Sequence, residues 1–310
     1  MLTTPVVRCL KLQAGVEVHY LTKAAFATLL EPNPYIDRVW TIQKRVTEVL
    51  DDLRREGFAA VVDLHHNLRS WRLRLGLGVP TYAFSKLNLE KWLLVRFKVD
   101  RLPPVHIVDR YLAAAAPLGI RNDGHGLDFF IRPEDEVAPR SILGSEPGAF
   151  GVFAIGGAHA TKRLPPDRIR ALCARLDRRV VLLGGPDDRE VGAFASQAGP
   201  HVFDQCGRLS IGQSASLIRQ SGWVISHDTG MMHIAAAFRK PIVSVWGNTV
   251  PAFGMYPYLP DGEPPGHQVE VKGLSCRPCS KIGYEACPKS HFRCMRDIGL
   301  DEILSALPPP

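Results

Sequence analysis

The chain has 310 residues, enough for two domains of about 150 residues each. It is 45% hydrophobic and 22% charged, which is typical of a globular protein. No apolar run approaches the roughly 18 residues of a membrane span, and residues 1–11 lack the apolar core of a secretory signal. We therefore expect a cytoplasmic protein, and the net charge of +7 favours an anionic partner.

In the first half, short β-branched runs alternate with helical patterns, which predicts βαβ units and mostly parallel sheets. Strands are predicted at 16–21, 39–42, 58–63 and 81–84. Helices are predicted at 24–30, 46–56, 68–75, 87–98 and 107–117. Residues 121–147 are rich in Gly, Asp, Glu and Pro, and we interpret them as an interdomain connection.

The second half restarts the same pattern. Strands are predicted at 151–155, 179–183, 201–203, 223–226 and 242–246. Helices are predicted at 165–176, 189–198, 214–220 and 231–238. The sequence thus predicts two α/β domains, 1–130 and 148–310, with a cleft between them and ligands beyond the carboxyl ends of the strands.

One junction between a predicted strand and helix, in the stretch SHDTGMMHIAAAF, is unusually polar. Asp228, Thr229 and Gly230 precede the helix, and His233 lies one turn inside it. Free amides at a helix N-terminus and a glycine that allows close approach favour binding of a phosphate or diphosphate. The alternative is an ordinary Asp or Thr helix cap.

A second loop, GGAHATKRLPP, also follows a predicted strand and opens a helix. It lacks the spacing of a P-loop, but its glycines admit a ligand, and Thr161 and Lys162 add a hydroxyl and a cation. The alternative for Lys162 is a solvated surface lysine. Two anion-binding loops in one α/β domain indicate a nucleoside diphosphate ligand.

The segments GGAHATKRLPPDRI, VVLLGGPDD, DTGMMHIAAA and KPIVSVWGNTVPAF resemble the ADP-heptose:lipopolysaccharide heptosyltransferase family. The resemblance implies a GT-B fold of two Rossmann-like domains, with the lipopolysaccharide acceptor bound by the N-terminal domain and ADP-heptose by the C-terminal one. It requires no metal cofactor. It implies that the following residues contact the ADP-sugar: Thr161, Lys162, Asp228, Thr229, Gly230 and His233.

The start of the chain departs from the family. Members usually begin with a strand and a serine-rich loop ending in Gly-Asp, whose aspartate is the presumed catalytic base. Here Thr4 is predicted as a helix cap and Pro5 as the first helical residue. We expect the first strand and the base to be absent, through a truncated gene in preference to natural variation. The catalytic residue stays unassigned, and these 310 residues are expected to transfer heptose slowly or not at all.

Polar residues follow the strand predicted at 58–63. We expect Asp63 and His65 to contact the acceptor, or one of the group that also includes His66 and Asn67 to act as a base. The alternative is the ordinary polarity of a loop.

Residues 68–110 contain nine basic and three acidic side chains. Within them, KLNLEKWLLVRFK predicts an amphipathic helix that can lie on the anionic inner-membrane surface. The alternative is a core-packed helix with a solvated charged face. Nucleic-acid binding is not expected, since no recognised module accompanies the charge.

The C-terminal segment contains four clustered cysteines with the spacing C-x2-C-x7-C-x6-C: Cys276, Cys279, Cys287 and Cys294. This spacing indicates a structural zinc site, with His291 as an alternative ligand. The competing interpretation is a set of free or redox-variable thiols.

The leading hypothesis is a glycosyltransferase that moves heptose from ADP-heptose to the inner core of lipopolysaccharide, peripheral to the inner membrane. Alternatives are a related GT-B transferase with another nucleotide sugar, a non-catalytic nucleotide-sugar or glycolipid binder, and a zinc-stabilised nucleic-acid binder.

Overall fold

Strands and helices alternate along the chain, as the hydrophobic pattern predicts. The structure is a computed structural model that describes residues 1–144, 148–264 and 266–309. Residues 145–147, at the end of the predicted interdomain connection, lie outside the described residues. In the part that is described, no helix is both long and apolar enough to cross a membrane.

The ten strands of the described chain are β1 His19–Lys23, β2 Arg38–Ile42, β3 Val61–Asp63, β4 Thr81–Ala83, β5 Gly151–Ala154, β6 Val180–Leu183, β7 Val202–Asp204, β8 Trp223–His227, β9 Ile242–Trp246 and β10 His267–Glu270.

The α-helices of the described residues are α1 Thr4–Gln13, α2 Leu50–Arg55, α3 Leu68–Leu77, α4 Asn88–Phe97, α5 Ile107–Ala115, α6 Arg140–Leu143, α7 Pro166–Ala174, α8 Arg189–Ser196, α9 Ile211–Gln220, α10 Gly230–Ala237, α11 Arg293–Arg296 and α12 Leu300–Ser305. The helix predicted at 24–30 is a 3-10 helix, Ala24–Leu29.

The chain divides into two compact units. The first consists of Met1–Leu87 and Val105–Phe130, and the second of Asn88–Pro104 and the described residues from Ile131 onward. Sequence alone assigns residues 88–104 to the first domain. They group with the second because α4 and its C-terminal end contact the cysteine-rich segment: Lys98 Nζ donates to the carbonyl of Pro278 at 2.6 Å.

The first unit contains two separate pairs of parallel strands. Strand β1 pairs with β2, and β3 pairs with β4. Helix α1 begins as predicted near Pro5, but its N-cap is Thr3, which makes no side-chain capping bond. Thr4 has another role, because its hydroxyl donates to the carbonyl of Met1 and accepts from the amide of Asp128.

The second unit is built on a six-stranded parallel sheet with the order β10-β9-β8-β5-β6-β7. In the order of the chain this is the 3-2-1-4-5-6 arrangement of the doubly wound fold. Every residue of β5, β6, β8 and β9 is buried, as expected for parallel strands covered on both faces. The predicted strands of this half are confirmed, and the sheet has one further strand, β10.

Strands β5 and β8 are held in register partly by the absence of a side chain at Gly151. Gly151 lies opposite Trp223, and a Cβ atom on Gly151 would come within 2.1 Å of the indole ring. The large ring thus occupies the space that any other residue at position 151 would fill.

We predict that Gly151→Ala lowers the free energy of unfolding by about 1–3 kcal/mol, because overpacking forces Trp223 or the strand to move. Urea unfolding measures the change. Gly148→Ala is the control, since a Cβ atom there would meet nothing within 4 Å. Equal stability of the two variants would contradict the packing described.

Candidate functional site

Two loops that the sequence singles out meet at one edge of the second sheet. The loop of residues 155–163 follows β5, and the junction of residues 228–229 follows β8. Ala154 of β5 lies opposite Ser226 of β8, so the carboxyl ends of these strands are adjacent. The strand order reverses between β5 and β8, and ligands bind at this reversal in doubly wound sheets.

An ion pair joins the two loops. Lys162 Nζ lies 2.6 Å from Asp228 Oδ2, and the two side chains are 17% and 10% exposed. The hydroxyl of Thr249, in the loop after β9, donates to the same carboxylate oxygen at 2.9 Å. Three loops therefore converge on Asp228, and a cation is fixed at the centre. Sequence reasoning missed Thr249, although it lies in the motif WGNTVP.

The N-terminus of α10 is open. Thr229 is its N-cap, but the side chain caps no amide, and its hydroxyl lies 3.4 Å from Ser226 Oγ. A side chain on Gly230 would meet no atom within 4 Å. His233 is buried one turn into the helix. The first-turn amides have no intrahelical acceptor, so this end of the helix is suited to an anion.

Close packing requires glycine at position 156 of the first loop, because a Cβ atom there would come within 2.5 Å of Asp188 Oδ2. A Cβ atom on Gly157 would come within 3.1 Å of Arg163 Cγ. Asp188 also accepts from Arg163 at 2.9 Å and from the amide of Gly185 at 2.8 Å. This buried carboxylate, in the motif GGPDD, holds the loop in place, and sequence reasoning gave it no role.

The structure shows a packing role for Thr161, which the resemblance places against the ADP-sugar. Its hydroxyl donates to the carbonyl of Tyr284 at 3.1 Å and accepts from the Tyr284 amide at 2.8 Å. The Thr161 amide donates to the same carbonyl. Thr161 is buried, and its hydroxyl positions the loop that carries Lys162.

The cysteine-rich segment braces the site from the other side. The amide of Cys279 donates to the carbonyl of Asn248. The buried guanidinium of Arg277 donates to the carbonyls of Gly247, Val271 and Thr249 and forms an ion pair of 2.7 Å with Glu270. The loop that presents Thr249 is thus bonded to the segment between Cys276 and Cys279.

The zinc site expected from the cysteine spacing is not formed by these side chains. Within the described ranges, no group of three or more His, Cys, Asp or Glu side chains is arranged to hold a metal ion. Cys294 packs in the apolar core, and the other three thiols are half-buried. Cys276 Sγ does lie 3.8 Å from His291 Nε2, but this is a pair and not a full ligand set.

His227, at the end of β8, is buried and serves the fold. Its Nε2 accepts from the amide of Leu164 at 3.0 Å, so the ring ties β8 to the start of the helix after the first loop. Burial lowers the pKa of His227 to about 4. The imidazole is therefore neutral at physiological pH.

In the first unit, Asp63 is the last residue of β3 and His65 lies in the loop that follows, but much of the hydrogen-bonding capacity of Asp63 is used locally. Its Oδ1 accepts from the amides of His65 and His66, and Arg74 lies 3.7 Å from Oδ2. His65 is exposed. Desolvation of the ring, followed by the charge of Lys86, lowers the pKa of His65.

Comparison with known proteins identifies the family. The model of glycosyltransferase family 9 (heptosyltransferase) matches residues 46–281, a range that includes Asp63, Lys162, Asp228 and Thr249. The chain belongs to glycosyltransferase family 9. The resemblance seen in the sequence motifs is thereby confirmed.

Individual family 9 relatives are distant. The chain is 31% identical over 179 residues to lipooligosaccharide heptosyltransferase 2 of Haemophilus influenzae, a match that covers 54% of this chain and 48% of the relative. It is 27% identical over 227 residues to lipopolysaccharide heptosyltransferase 2 of Escherichia coli, covering 65% and 63%. The matched region thus spans less than two thirds of either relative.

Solved structures of family 9 proteins have the same fold. The chain matches the family 9 glycosyltransferase of Veillonella parvula with a TM-score of 0.76 and 22% identity, covering 98% of this chain and 91% of that one. It matches E. coli ADP-heptose LPS heptosyltransferase II with a TM-score of 0.70 and 18% identity, covering 98% and 92%. The expected α/β fold is confirmed.

We predict a pH-dependent contribution of His227 to stability. The unfolded ring has a pKa of about 6.5, so below this pH the unfolded state binds a proton that the folded state does not. The contribution of His227 to the free energy of unfolding is fully present above pH 6.5 and is lost as the pH falls towards 4. Between pH 7.5 and pH 5 the loss from this group is about 2 kcal/mol.

The measurement is urea unfolding of the wild type and His227→Gln at both pH values. The glutamine keeps an acceptor for Leu164 but does not titrate. The variant should therefore lose about 2 kcal/mol less than the wild type over this interval. Parallel losses in the two proteins would show that His227 is not held neutral.

Proposed function

We propose that this family 9 chain is a glycosyltransferase that uses ADP-heptose as donor and an inner-core sugar of lipopolysaccharide as acceptor. The observation that carries the proposal is the Lys162–Asp228 ion pair at the reversal of strand order in the second unit. The names of the matched relatives from H. influenzae and E. coli support heptose as the transferred sugar.

In this proposal the donor diphosphate lies at the N-terminus of α10. The amides of the first turn and the ammonium of Lys162 neutralise it, and Gly230 leaves the space for its approach. As the glycosidic bond to the diphosphate breaks, negative charge grows on the leaving group, and these fixed positive groups stabilise it. No metal ion is needed for this step.

Asp228 does not bind the diphosphate directly in this proposal, because two anions repel each other. Its carboxylate orients Lys162 and Thr249, which both contact Oδ2. The other carboxylate oxygen is assigned to a sugar hydroxyl of the donor. His233 and Thr229 complete the donor side, with the Thr229 hydroxyl as a ligand donor that the helix cap does not use.

We assign the acceptor side to the loop after β3. His65 is exposed and its pKa is lowered, so the neutral ring can accept a hydrogen bond from an acceptor hydroxyl. Asp63 supports this loop through its bonds to the amides of His65 and His66. The catalytic base is left unassigned. Because the acceptor is lipid-anchored, we place the protein in the cytoplasm at the inner-membrane surface.

We predict that Lys162→Ala weakens ADP binding about 10- to 150-fold, because a charge-assisted contact to the diphosphate is lost. Asp228→Ala also weakens it, by a smaller factor, because Lys162 and Thr249 lose the group that orients them. Isothermal titration calorimetry gives both values. Arg170→Ala is the control, since Arg170 is an exposed arginine stacked on Phe194. Unchanged ADP affinity in both site variants would rule out the donor site.

Heptose transfer tests the acceptor side. The assay follows labelled heptose from ADP-heptose to lipopolysaccharide that lacks heptose, under single-turnover conditions. We predict that His65→Gln lowers the rate about tenfold through weaker acceptor binding, with ADP affinity unchanged. His125→Gln, an exposed histidine of the same unit, should transfer like the wild type. A protein that transfers a different sugar from its ADP donor to this acceptor, but not heptose, would overturn the choice of donor sugar.

A further inference from the structure

Helix α4 presents an apolar face to solvent. Of its ten residues only Leu94 is buried, whereas Leu89, Trp92 and Phe97 are 64%, 52% and 56% exposed. Leu89, Trp92 and Arg96 follow the i, i+3, i+7 spacing of a single helix face. The rings of Trp92 and Phe97 contact edge to face, with centroids 5.1 Å apart. The two largest exposed side chains of the helix thus form one apolar group.

The cysteine-rich segment contacts both ends of α4. Lys281 Nζ lies 3.3 Å from Asn88 Oδ1, at the start of α4, and the next residue, Ile282, is 57% exposed. At the other end of α4, Lys98 is bonded to the carbonyls of Cys276 and Pro278. We call the surface formed by Leu89, Trp92, Arg96 and Phe97 the α4 patch.

The charge around the α4 patch is mainly positive. The segment 88–104 contains four basic residues and two acidic ones. Arg96, Lys98 and Arg101 are exposed, as is one of the two acidic residues, Asp100, whereas Glu90 of α4 is half-exposed. A two-fold contact between copies of this chain would bring the Arg96 side chains of both copies into the same interface, which is unfavourable. The patch is instead complementary to an anionic surface.

We infer that the α4 patch rests on the surface of an anionic lipid bilayer. Leu89, Trp92 and Phe97 enter the headgroup region, where tryptophan is favoured because its ring is apolar and its N–H is polar. Arg96 then contacts lipid phosphates. This inference extends the proposed function, whose acceptor is anchored in a membrane, but it depends on the exposed residues of α4 and not on the donor site.

A second helix, α3, provides a matched comparison. Its Leu68, Trp71 and Leu75 are also exposed. Helix α2 packs against α3, but its Asp51 and Asp52 form ion pairs with Arg54 and Arg55, and α3 contains Arg69, Arg72 and Arg74. Charge therefore does not distinguish the two helices. We assign α4 to the membrane because its exposed Trp92 and Phe97 rings pack together into one apolar group, and aromatic side chains of this kind favour the headgroup region.

Vesicle sedimentation tests the assignment. Wild-type protein should bind vesicles of equimolar phosphatidylcholine and phosphatidylglycerol, and bind more weakly to pure phosphatidylcholine or at high salt. Leu89→Ser with Trp92→Ser should lower binding to the mixed vesicles at least about tenfold, and Arg96→Gln about fivefold. Leu68→Ser with Trp71→Ser is the control and should bind like the wild type. If the α4 double variant binds as tightly as the wild type, or the α3 variant loses more binding, the inference is wrong.

Tryptophan fluorescence locates the contact. Trp40, Trp223 and Trp246 are buried, so in Trp71→Phe the exposed tryptophan is Trp92. Its emission should shift to the blue when mixed vesicles are added. Vesicle-bound Trp71→Phe with unshifted emission would overturn the assignment to α4.

Measurements of ADP binding and of vesicle binding distinguish a failure of this inference from a failure of the proposed function. The α4 double variant should keep the thermal unfolding temperature and the ADP affinity of the wild type, which shows that only the surface has changed. Wild-type protein that binds mixed vesicles but not ADP contradicts the donor site and leaves the α4 patch supported. Wild-type protein that binds ADP but not mixed vesicles supports the donor site and contradicts the assignment of the α4 patch.

Discussion

The hydrogen-bonded register between β5 and β8 is the constraint on which the candidate site depends. These strands are the point where the order of the second sheet reverses, and their pairing fixes the positions of the loops that follow them. Gly151 opposite Trp223 allows only one close fit between the strands. A shift by one residue would turn buried side chains to the other face and would separate Lys162 from Asp228. Packing inside the sheet therefore determines the position of the Lys162–Asp228 contact at the carboxyl ends of the strands.

The Lys162–Asp228 ion pair reduces an electrostatic repulsion that a bound anion would otherwise meet. A carboxylate placed beside an anion-binding helix end would repel a diphosphate. Here the Asp228 carboxylate is held by the ammonium of Lys162 and the hydroxyl of Thr249, so its charge is compensated before any ligand arrives. Because these groups are largely buried, they need little rearrangement on binding, and the electrostatic interactions are stronger than in water. A preorganised charge arrangement of this kind suits stabilisation of a leaving group.

Most of the second unit could be predicted from sequence, because its strands are continuous apolar runs bounded by glycines. Strand β10 could not: three of its four residues, HQVE, are polar, and only one of the four is buried. Lys162 and Asp228 are predicted as site residues because each lies in a polar, glycine-containing loop that follows a predicted strand and opens a helix. The role of Thr161 was not predictable, since its partner, Tyr284, is 123 residues away. The cysteine spacing predicts a metal site that the described side chains do not form.

The guanidinium of Arg277 has a consequence for local opening. It donates to the carbonyls of Gly247 and Thr249 in the loop after β9 and to the carbonyl of Val271 just after β10. In the sequence, Arg277 lies between the half-buried Cys276 and Cys279. The cysteine-rich segment therefore cannot detach without leaving several carbonyls and a buried cation without partners. This segment and the Thr249 loop should therefore open as one cooperative unit, and their amides should exchange with solvent hydrogen at a common rate. The cysteine-rich segment, although it lies near the end of the sequence, thus shares the local stability of the candidate site that it borders.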